Sequence, residues 1–233
     1  MASRKQQTNK PLVPSDVLNV NLLGPFGAGK GTQAQMLVNQ FGLHHFVAGD
    51  ILKEQIRRKT TLGKKVEKTV RAGGLVSDTV VGQLFKNFLK ELPHNRGLVI
   101  DGSPRNLSQK KLLDALLLKA GRRPINIVID IPEKESLRRL SERKICVGCK
   151  HKPLGKDLHA AACLKCGGKL VRRFDDQPEI IKKRLAVYKK EVQPVIDAYA
   201  KEGRLHRVDG MGPRASVSQQ IMGALAALGH SPQ

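Results

Sequence analysis

A glycine-rich segment between an apolar run and a helical pattern constrains this chain more than any other feature. The segment covers residues 24–32 and reads GPFGAGKGT, after the apolar run 17–23 and before helical spacing over 33–41. Strand, glycine turn and helix in this order form the context that a phosphate-binding loop requires. The glycines let backbone N–H groups turn towards phosphate oxygens, the helix N-terminus adds its positive end, and Lys30 adds a full charge. A chance glycine-rich turn is the alternative, and the flanking strand and helix disfavour it.

Strand and helix patterns alternate along most of the chain. Of its 233 residues, 40% are hydrophobic, which suffices for the core of one domain, and no apolar run reaches the length of a membrane span. The candidate strands are 17–23, 45–47, 97–101, 125–130 and 205–209, and the clearest helices are 30–41, 77–91, 106–119, 133–143, 177–202 and 214–228. Continuous apolar strands between helices predict an α/β fold of the P-loop NTPase type, with a five-stranded parallel sheet flanked by helices.

The charge balance is strongly basic. The chain has 42 Lys and Arg residues against 20 Asp and Glu, a formal net charge of +22. Such a field attracts phosphate in nucleotides, RNA or anionic membranes, and it exceeds what a mononucleotide enzyme needs. A basic solvated surface and a polyanionic partner such as RNA or an RNA-rich assembly are both open. Aromatic residues make up only 3% of the chain, which disfavours the base-stacking platforms of single-stranded nucleic-acid binders.

The first 16 residues form a basic segment. They include Arg4, Lys5 and Lys10 and lack the apolar run of a secretory signal. We expect a flexible basic arm at 1–16, followed by one domain from 17 to 233. Because the segment has little amphipathic helical character, a mitochondrial presequence is only weakly indicated, and the compartment, cytoplasm or mitochondrion, stays open.

Four cysteines lie in a stretch of different texture. Residues 144–170 are rich in Lys and Gly, lack a helical period and contain two C-x-x-C pairs separated by 13 residues. Two such turns complete a tetrahedral thiolate shell suited to a structural zinc ion, with no position open to water. Disulfides are the alternative, and the missing secretion signal favours metal. The ligands are Cys146, Cys149, Cys163 and Cys166, with His151 and His159 as spare candidates.

Further motifs follow one another along the chain. They are GKGT at 29–32, AGDILK at 48–53, GLV at 74–76, DGSPR at 101–105 with Gln109, RLSER at 139–143 and RRFDD at 172–176, followed by Arg184 and Tyr188. In this order they resemble the motifs of adenylate kinases with a long zinc-bearing lid, over residues 17–226. The resemblance implies a core of 17–46, 77–141 and 177–233. It also implies a helical insertion at 47–76 that binds the nucleoside monophosphate, and a small zinc-ribbon lid at 142–176.

The resemblance also implies a reaction and its residues. The reaction is ATP + AMP = 2 ADP by in-line phosphoryl transfer, with Mg²⁺ on ATP, a structural Zn²⁺ in the lid and a monomeric enzyme when free. The implied catalytic residues are Lys30, Asp101, Arg105, Arg143, Arg173 and Arg184. The implied ATP-binding residues are Gly27, Ala28, Gly29, Lys30, Gly31, Thr32, Arg139 and Arg143. The implied monophosphate-binding residues are Ala48, Lys53, Gly74, Val76, Gly102, Arg105, Gln109, Arg173 and Arg184.

On the donor side, the resemblance implies that Lys30 and the loop amides hold the β- and γ-phosphates of ATP. Arg139 lies against the donor base, where its planar guanidinium can stack. Asp101 orients the water ligands of Mg²⁺. These roles fit a reaction that needs alignment and charge neutralisation more than covalent chemistry.

On the acceptor side, the resemblance implies that Arg105 grips the phosphate of the monophosphate. Arg143, Arg173 and Arg184 converge on the transferring group as the lid closes. The carboxylates of residues 175–176 anchor these arginines. Closure excludes water, which strengthens the ionic interactions and protects ATP from hydrolysis.

Five residues depart from the family pattern. Phe26 stands in the loop where Pro or a small residue is usual, and Lys53 replaces an Arg but cannot form a bidentate fork. Ser103 replaces a Phe beside the acceptor base. Ala48 and Asn106 stand where Thr is frequent and are similar to residues of UMP/CMP kinases, so UMP or CMP is the alternative acceptor.

Two other readings use the same features. An adenylate-kinase fold with weak or no activity could serve a structural role in an RNA-rich or other polyanionic complex, which the charge and the altered acceptor pocket motivate. A zinc-ribbon nucleic-acid binder explains the cysteine segment but leaves the other motifs unexplained.

Overall fold

The structure is a computed structural model that describes residues 17–153 and 155–232, so the predicted basic arm at 1–16 lies outside the described residues. The strands are β1 (Asn19–Leu23), β2 (His44–Phe46), β3 (Leu98–Asp101), β4 (Ile125–Asp130), β5 (Lys144–Cys146), β6 (Leu170–Arg172) and β7 (Leu205–Asp209). Five of them form one sheet in the order β2-β3-β1-β4-β7, and every neighbouring pair is parallel. The predicted five-stranded parallel sheet is confirmed.

The helices are α1 (Lys30–Phe41), α2 (Ala48–Arg57), α3 (Thr61–Arg71), α4 (Asp78–Glu91), α5 (Leu107–Lys119), α6 (Glu133–Glu142), α7 (Pro178–Val187), α8 (Gln193–Lys201) and α9 (Arg214–Ala226). The prediction for α1 agrees at both ends, and the predictions for α4, α5, α6 and α9 agree within two residues. Within the described residues, no helix combines the length and the apolar character needed to cross a bilayer.

The single helix predicted at 177–202 is wrong in its middle. The stretch is helical throughout, but a π-helical turn at Tyr188–Val192 separates α7 from α8. Pro194 has no N–H and cannot donate to the carbonyl four residues earlier, so the regular ladder is interrupted there. Gln193 instead donates its N–H to the Tyr188 carbonyl, five residues back, which is the bond of a π-turn.

The hydrophobic core lies on both faces of the sheet because alternate strand residues point in opposite directions. β1 is buried over its whole length. On one face, Leu22 and Ile127 pack against residues of α1 and α9. On the other, Leu23 and Val128 pack against α8, and Phe46 packs against α4 and α5. The two faces together fix the carboxyl ends of the strands, where ligands of such sheets bind.

Two insertions leave this core. The helical insertion, residues 47–76, contains α2 and α3, and the Thr60 hydroxyl accepts a hydrogen bond from the Gly63 N–H to begin α3. Gly63 lies so close to the Gln55 carbonyl that a side chain there would collide with α2. The cysteine insertion, residues 142–176, is an antiparallel pair of β5 and β6 with a 3₁₀ turn at Gly155–His159.

Candidate active site

The glycine-rich loop joins β1 to α1, as the sequence predicts. Gly24 has a φ of +131° and approaches the Ile129 carbonyl of β4 so closely that only glycine fits. Gly29, with a φ of +93°, precedes the first residue of α1. The Lys30 ammonium donates to the carbonyls of Gly24 and Pro25 at 2.7 and 2.8 Å, so the loop wraps around its side chain. The other loop residues assigned to ATP are Gly27, Ala28, Gly31 and Thr32.

The electrostatics around Lys30 show which side chains converge on the loop. Burial, the largest cause, and repulsion from Arg105, Arg184 and Arg143 together lower the pKa of Lys30 to about 8, against the attraction of Asp101. Three arginines from separate parts of the sequence therefore lie near one ammonium. We call these four side chains and Arg173, which is described below, the cation cluster.

Asp101 ends β3 beside the loop, and its Oδ2 would lie 3.2 Å from a Cβ placed on Gly31. The Nε2 atom of His45, on β2, is 3.8 Å from the same oxygen. Burial raises the pKa of Asp101, but the neighbouring His45 and Lys30 outweigh it and hold the pKa below its usual range. The sequence prediction missed His45. The only signal for it is the parallel pairing of two short strands, which places His45 opposite Val99, two residues before Asp101.

Arg105 is a guanidinium without a carboxylate partner among the described residues. Its Nε donates to the Gly102 carbonyl at 2.8 Å, and its backbone N–H donates to Gln109 Oε1 at 2.9 Å. Its Nη2 faces Gly49 at the start of α2. Burial lowers the pKa of Arg105, and the more distant Asp101 only partly opposes this. The two η-nitrogens are therefore placed to receive an anion.

Two adjacent carboxylates hold three arginines. Arg143 donates from Nε and Nη2 to the two oxygens of Asp176 at 2.7 and 2.6 Å, a bidentate pair. Arg173 makes the equivalent pair with Asp175 at 2.9 and 2.7 Å. Arg184 donates from Nη1 to the Asp175 carbonyl at 2.9 Å and to Asp176 Oδ1 at 3.0 Å. Asp176 is fully buried, so these pairs are shielded from solvent. They are the pairs that the resemblance implies.

The two insertions touch each other at this point. The Lys53 ammonium of α2 lies 2.8 Å from Asp175 Oδ2. The Phe174 ring lies beside two cations of the helical insertion, 5.8 Å from Lys53 Nζ and 5.3 Å from Arg71 Cζ, measured to the ring centroid. These contacts join the end of the cysteine insertion to the helical insertion, beside the arginines that Asp175 and Asp176 hold.

The region assigned to the acceptor base has one unused donor. Gln109 is buried, and its Nε2 has no hydrogen-bond partner among the described residues. Asn106 is fully engaged, because its Nδ2 donates to Asp78 Oδ1 at 2.9 Å and its Oδ1 accepts from the Gln109 N–H at 2.7 Å. Ala48 and Ser103 are buried. Gly74 and Val76 lie, partly exposed, in the loop between α3 and α4.

Arg139 is positioned by two loops at the donor side. Its Nη2 donates to the Gly210 carbonyl at 2.9 Å, and its Nε donates to Glu135 at 2.6 Å. Its side chain also lies against Gly27 of the glycine-rich loop. The Arg139 side chain is 25% exposed.

The four cysteine sulfurs form one cluster, and the cysteines are free. All four sulfurs lie within 4.8 Å of one another, with Cys146–Cys166 at 3.5 Å and Cys149–Cys163 at 3.6 Å. A tetrahedral ion with metal–sulfur bonds of about 2.3 Å separates its sulfurs by about 3.8 Å, so the cluster fits a metal.

Local features of the turns support this fit. A Cβ on Gly168 would lie 3.0 Å from the Cys146 sulfur, so glycine is needed for the turn to close around it. The Gly168 N–H lowers the pKa of Cys166 and favours its thiolate, whereas, against a hydrogen bond from the His151 backbone, the neighbouring thiols and burial raise the pKa of Cys149. The cluster does not include His151, which is half-buried, or His159, which is exposed.

Comparison with known proteins gives a consistent result over nearly the whole chain. The family model described as "Adenylate kinase" matches residues 22–204. A protein named "Adenylate kinase" from Methanothrix thermoacetophila is 37% identical over 219 residues, which cover 90% of this chain and 99% of that relative. Relatives of the same name from Syntrophobacter fumaroxidans and Methanosarcina barkeri are 37% and 38% identical, covering 89% of this chain and 100% and 98% of their own lengths.

Proposed function

The chain belongs to the adenylate kinase family and catalyses ATP + AMP = 2 ADP, and from this premise we propose which of its residues bind the two nucleotides and align the transferring phosphoryl group. The observation that supports this proposal is the cation cluster. The carboxylates of residues 175 and 176 hold Arg143, Arg173 and Arg184 together. Arg184, Arg105 and Lys30 lie within 5.8 Å of one ring centroid, that of Phe26. Neither UMP/CMP as acceptor nor a purely structural role is favoured by the comparisons.

ATP binds with its β- and γ-phosphates on the loop amides, at the positive end of α1. Lys30 leaves the carbonyls of Gly24 and Pro25 and pairs with these phosphates. Arg139 offers its flat face to the donor base. Family members use Mg²⁺ with ATP; when bound, the ion would neutralise phosphate charge, and Asp101 would accept hydrogen bonds from its water ligands.

AMP binds between the helical insertion and the end of β3. The free η-nitrogens of Arg105 grip its phosphate, and Lys53 adds a second charge when it leaves Asp175. The unpaired Gln109 Nε2 donates to the base. The rest of this pocket consists of Ala48, Gly74, Val76 and Gly102.

The transfer step relies on preorganised charge. The Asp175–Asp176 pair holds Arg143, Arg173 and Arg184, and each arginine keeps N–H groups that make no hydrogen bond to the described part of the chain. Negative charge that develops on the migrating phosphoryl group meets these donors without reorganisation. Because the two insertions meet over the site, closure excludes water and protects ATP from hydrolysis.

These contacts support the domain assignment that we propose. Residues 47–76 form the acceptor-binding insertion, residues 142–176 form the lid, and the remainder of 17–233 is the core. Zinc bound by the four cysteines would fix β5 against β6 and supply only structural stability, because four protein sulfurs leave no open coordination position.

A polyanionic partner such as RNA is a separate proposal that rests on the net charge of +22. Sedimentation of the native protein through a salt gradient tests it. Co-migration with RNA that salt abolishes supports this proposal, and a free monomer at moderate ionic strength contradicts it.

A coupled assay of ADP formation tests the main proposal. With Mg·ATP we expect turnover with AMP and much lower kcat/KM with UMP, CMP and GMP. No turnover with any of the four monophosphates would overturn the enzymatic assignment, and a preference for UMP or CMP would overturn the proposed base contact.

A further inference from the structure

The ring of Phe26 lies beside three members of the cation cluster. Its centroid is 4.0 Å from Arg184 Cζ, 5.4 Å from Arg105 Cζ and 5.8 Å from Lys30 Nζ. All three distances fall within the range at which the negative face of an aromatic ring attracts a cation. Three of the groups proposed to surround the phosphoryl group therefore meet on one side chain.

Two contacts fix this ring in place. The Phe26 carbonyl accepts a hydrogen bond from the Ser136 hydroxyl on α6. The ring packs against the buried side chains of Leu140, Ile181 and Leu185, which belong to α6 and α7. The glycine-rich loop and two helices thus hold the ring from separate sides, so its face is a fixed surface.

The contact with the Phe26 ring leaves the Nε and Nη2 groups of Arg184 available for a ligand. Burial lowers the pKa of Arg184 to about 10, and Arg143 and Arg173 add repulsion. Its hydrogen bonds to protein in the described residues all use Nη1. A ring on the flat face of a guanidinium does not compete with the remaining N–H groups at its edge, which are those that bind phosphate. The aromatic face offsets part of the repulsion, while Nε and Nη2 of this buried side chain make no hydrogen bond to the described residues.

We propose that Phe26 is a positioning residue for phosphoryl transfer, which holds Arg184 and Arg105 in their working orientation through cation–π contacts before nucleotides bind. The inference rests on the roles proposed above for these two arginines. Phe26 itself touches no reacting atom in this scheme. It supplies preorganisation that a Pro or small residue at this position could not supply by the same contact.

Fluorinated phenylalanines at position 26 test the proposal, because they keep the shape of the ring while weakening its negative face. Incorporation of 4-fluoro-, 3,5-difluoro- and 3,4,5-trifluorophenylalanine should lower kcat stepwise, to roughly one tenth with three fluorines. Phe26→Leu should lower kcat at least as much, and Phe26→Tyr should retain most activity. KM for ATP should change less than kcat. The same fluorinated series at Phe85, a core residue of α4, is the matched control and should leave kcat unchanged.

The outcomes separate this inference from the proposed function. Equal kcat across the fluorinated series contradicts the cation–π role, even if Phe26→Leu is slow, because the ring then acts by shape alone. Wild-type activity in Phe26→Leu together with an inactive Arg184→Ala overturns the role of Phe26 and leaves the proposed function standing. Full activity in both Arg184→Ala and Arg105→Ala overturns the proposed function itself. Thermal melting of each variant distinguishes a kinetic defect from failure to fold.

Discussion

The Lys53 ammonium lies 2.8 Å from the Asp175 carboxylate and joins the first helix of one insertion to the base of the other. Asp175 also receives both donors of Arg173 and stays satisfied if Lys53 departs. Lys53 can therefore leave Asp175 and pair with an incoming phosphate, because the buried Asp175 carboxylate keeps Arg173 as its partner. Under the proposed function, Lys53 couples acceptor binding to the position of the lid.

Substitution of Lys53 should affect the acceptor selectively. We expect Lys53→Ala to raise KM for AMP about tenfold, the loss of one charge-assisted contact, with KM for ATP nearly unchanged. Lys53→Arg should lower KM for AMP below the wild-type value because a guanidinium can bind phosphate with two N–H groups. Lys65→Ala, at an exposed position on α3, is the control. A rise in KM for ATP equal to that for AMP would contradict this assignment.

Arg105→Ala should abolish use of the acceptor while leaving ATP binding intact. The guanidinium has no carboxylate partner in the described chain, so its removal breaks no ion pair and its cost falls on the phosphate it would bind. We expect kcat/KM for AMP to fall at least about 100-fold. Titration calorimetry should give a wild-type Kd for Mg·ATP. Arg138→Ala, exposed on α6, is the matched control, and equal loss of ATP affinity in Arg105→Ala would show that the role is misassigned.

ATP binding should take up a proton near pH 8. Burial lowers the pKa of Lys30 to about 8 in the free protein, and a bound phosphate stabilises the ammonium and raises that pKa again. The protonated form binds better, so affinity for Mg·ATP is highest below pH 8 and falls above it, by at most tenfold per pH unit. Calorimetry in two buffers of different ionisation heat should show uptake of about half a proton at pH 8 and little at pH 6.5. Release of protons, or none exchanged at pH 8, would contradict this.

The local parts of the site could be predicted from sequence. The strand, loop and helix around Lys30 are contiguous, and the two C-x-x-C turns each bring two sulfurs together within four residues. The buried strands also follow from their apolar runs. Their pairing into one sheet needs only the rule that alternating strands and helices form parallel sheets.

Other features depend on relations that no short segment contains. His45 reaches Asp101 only through the pairing of β2 with β3. The contact between Lys53 and Asp175 spans 122 positions and requires both insertions to meet. Asn21 and Asn126 form a buried amide hydrogen bond between two strands that appear apolar in sequence, which only the register of β1 and β4 makes possible. Each of these is a product of tertiary packing.

Loss of the metal should destabilise the cysteine insertion. We expect one zinc ion per chain by elemental analysis, and Cys163→Ser should remove it and lower the melting temperature by on the order of 10 °C, because the metal holds two turns that share little hydrophobic core. His159→Ala, outside the sulfur cluster, should keep its zinc and its melting temperature. Absence of both zinc and free thiols from the purified protein would instead indicate disulfides.

Substitutions at Gln109 and Asn106 should show which residue recognises the acceptor base and which only caps a helix. Gln109 has a buried N–H donor with no partner in the described residues, which suits an acceptor nitrogen of adenine. We expect Gln109→Leu to lower kcat/KM for AMP by roughly tenfold more than kcat/KM for UMP, because only AMP loses the base contact, whereas loss of the Oε1 acceptor for the Arg105 N–H affects both monophosphates. The Asn106 side chain donates a hydrogen bond to Asp78 and accepts one from the first turn of α5. Asn106→Ala should therefore cost about 1 kcal/mol of stability through the lost N-cap and leave the preference for AMP over UMP unchanged. If Asn106→Ala switches that preference while Gln109→Leu does not, the base is read by Asn106, as in the UMP/CMP-type alternative.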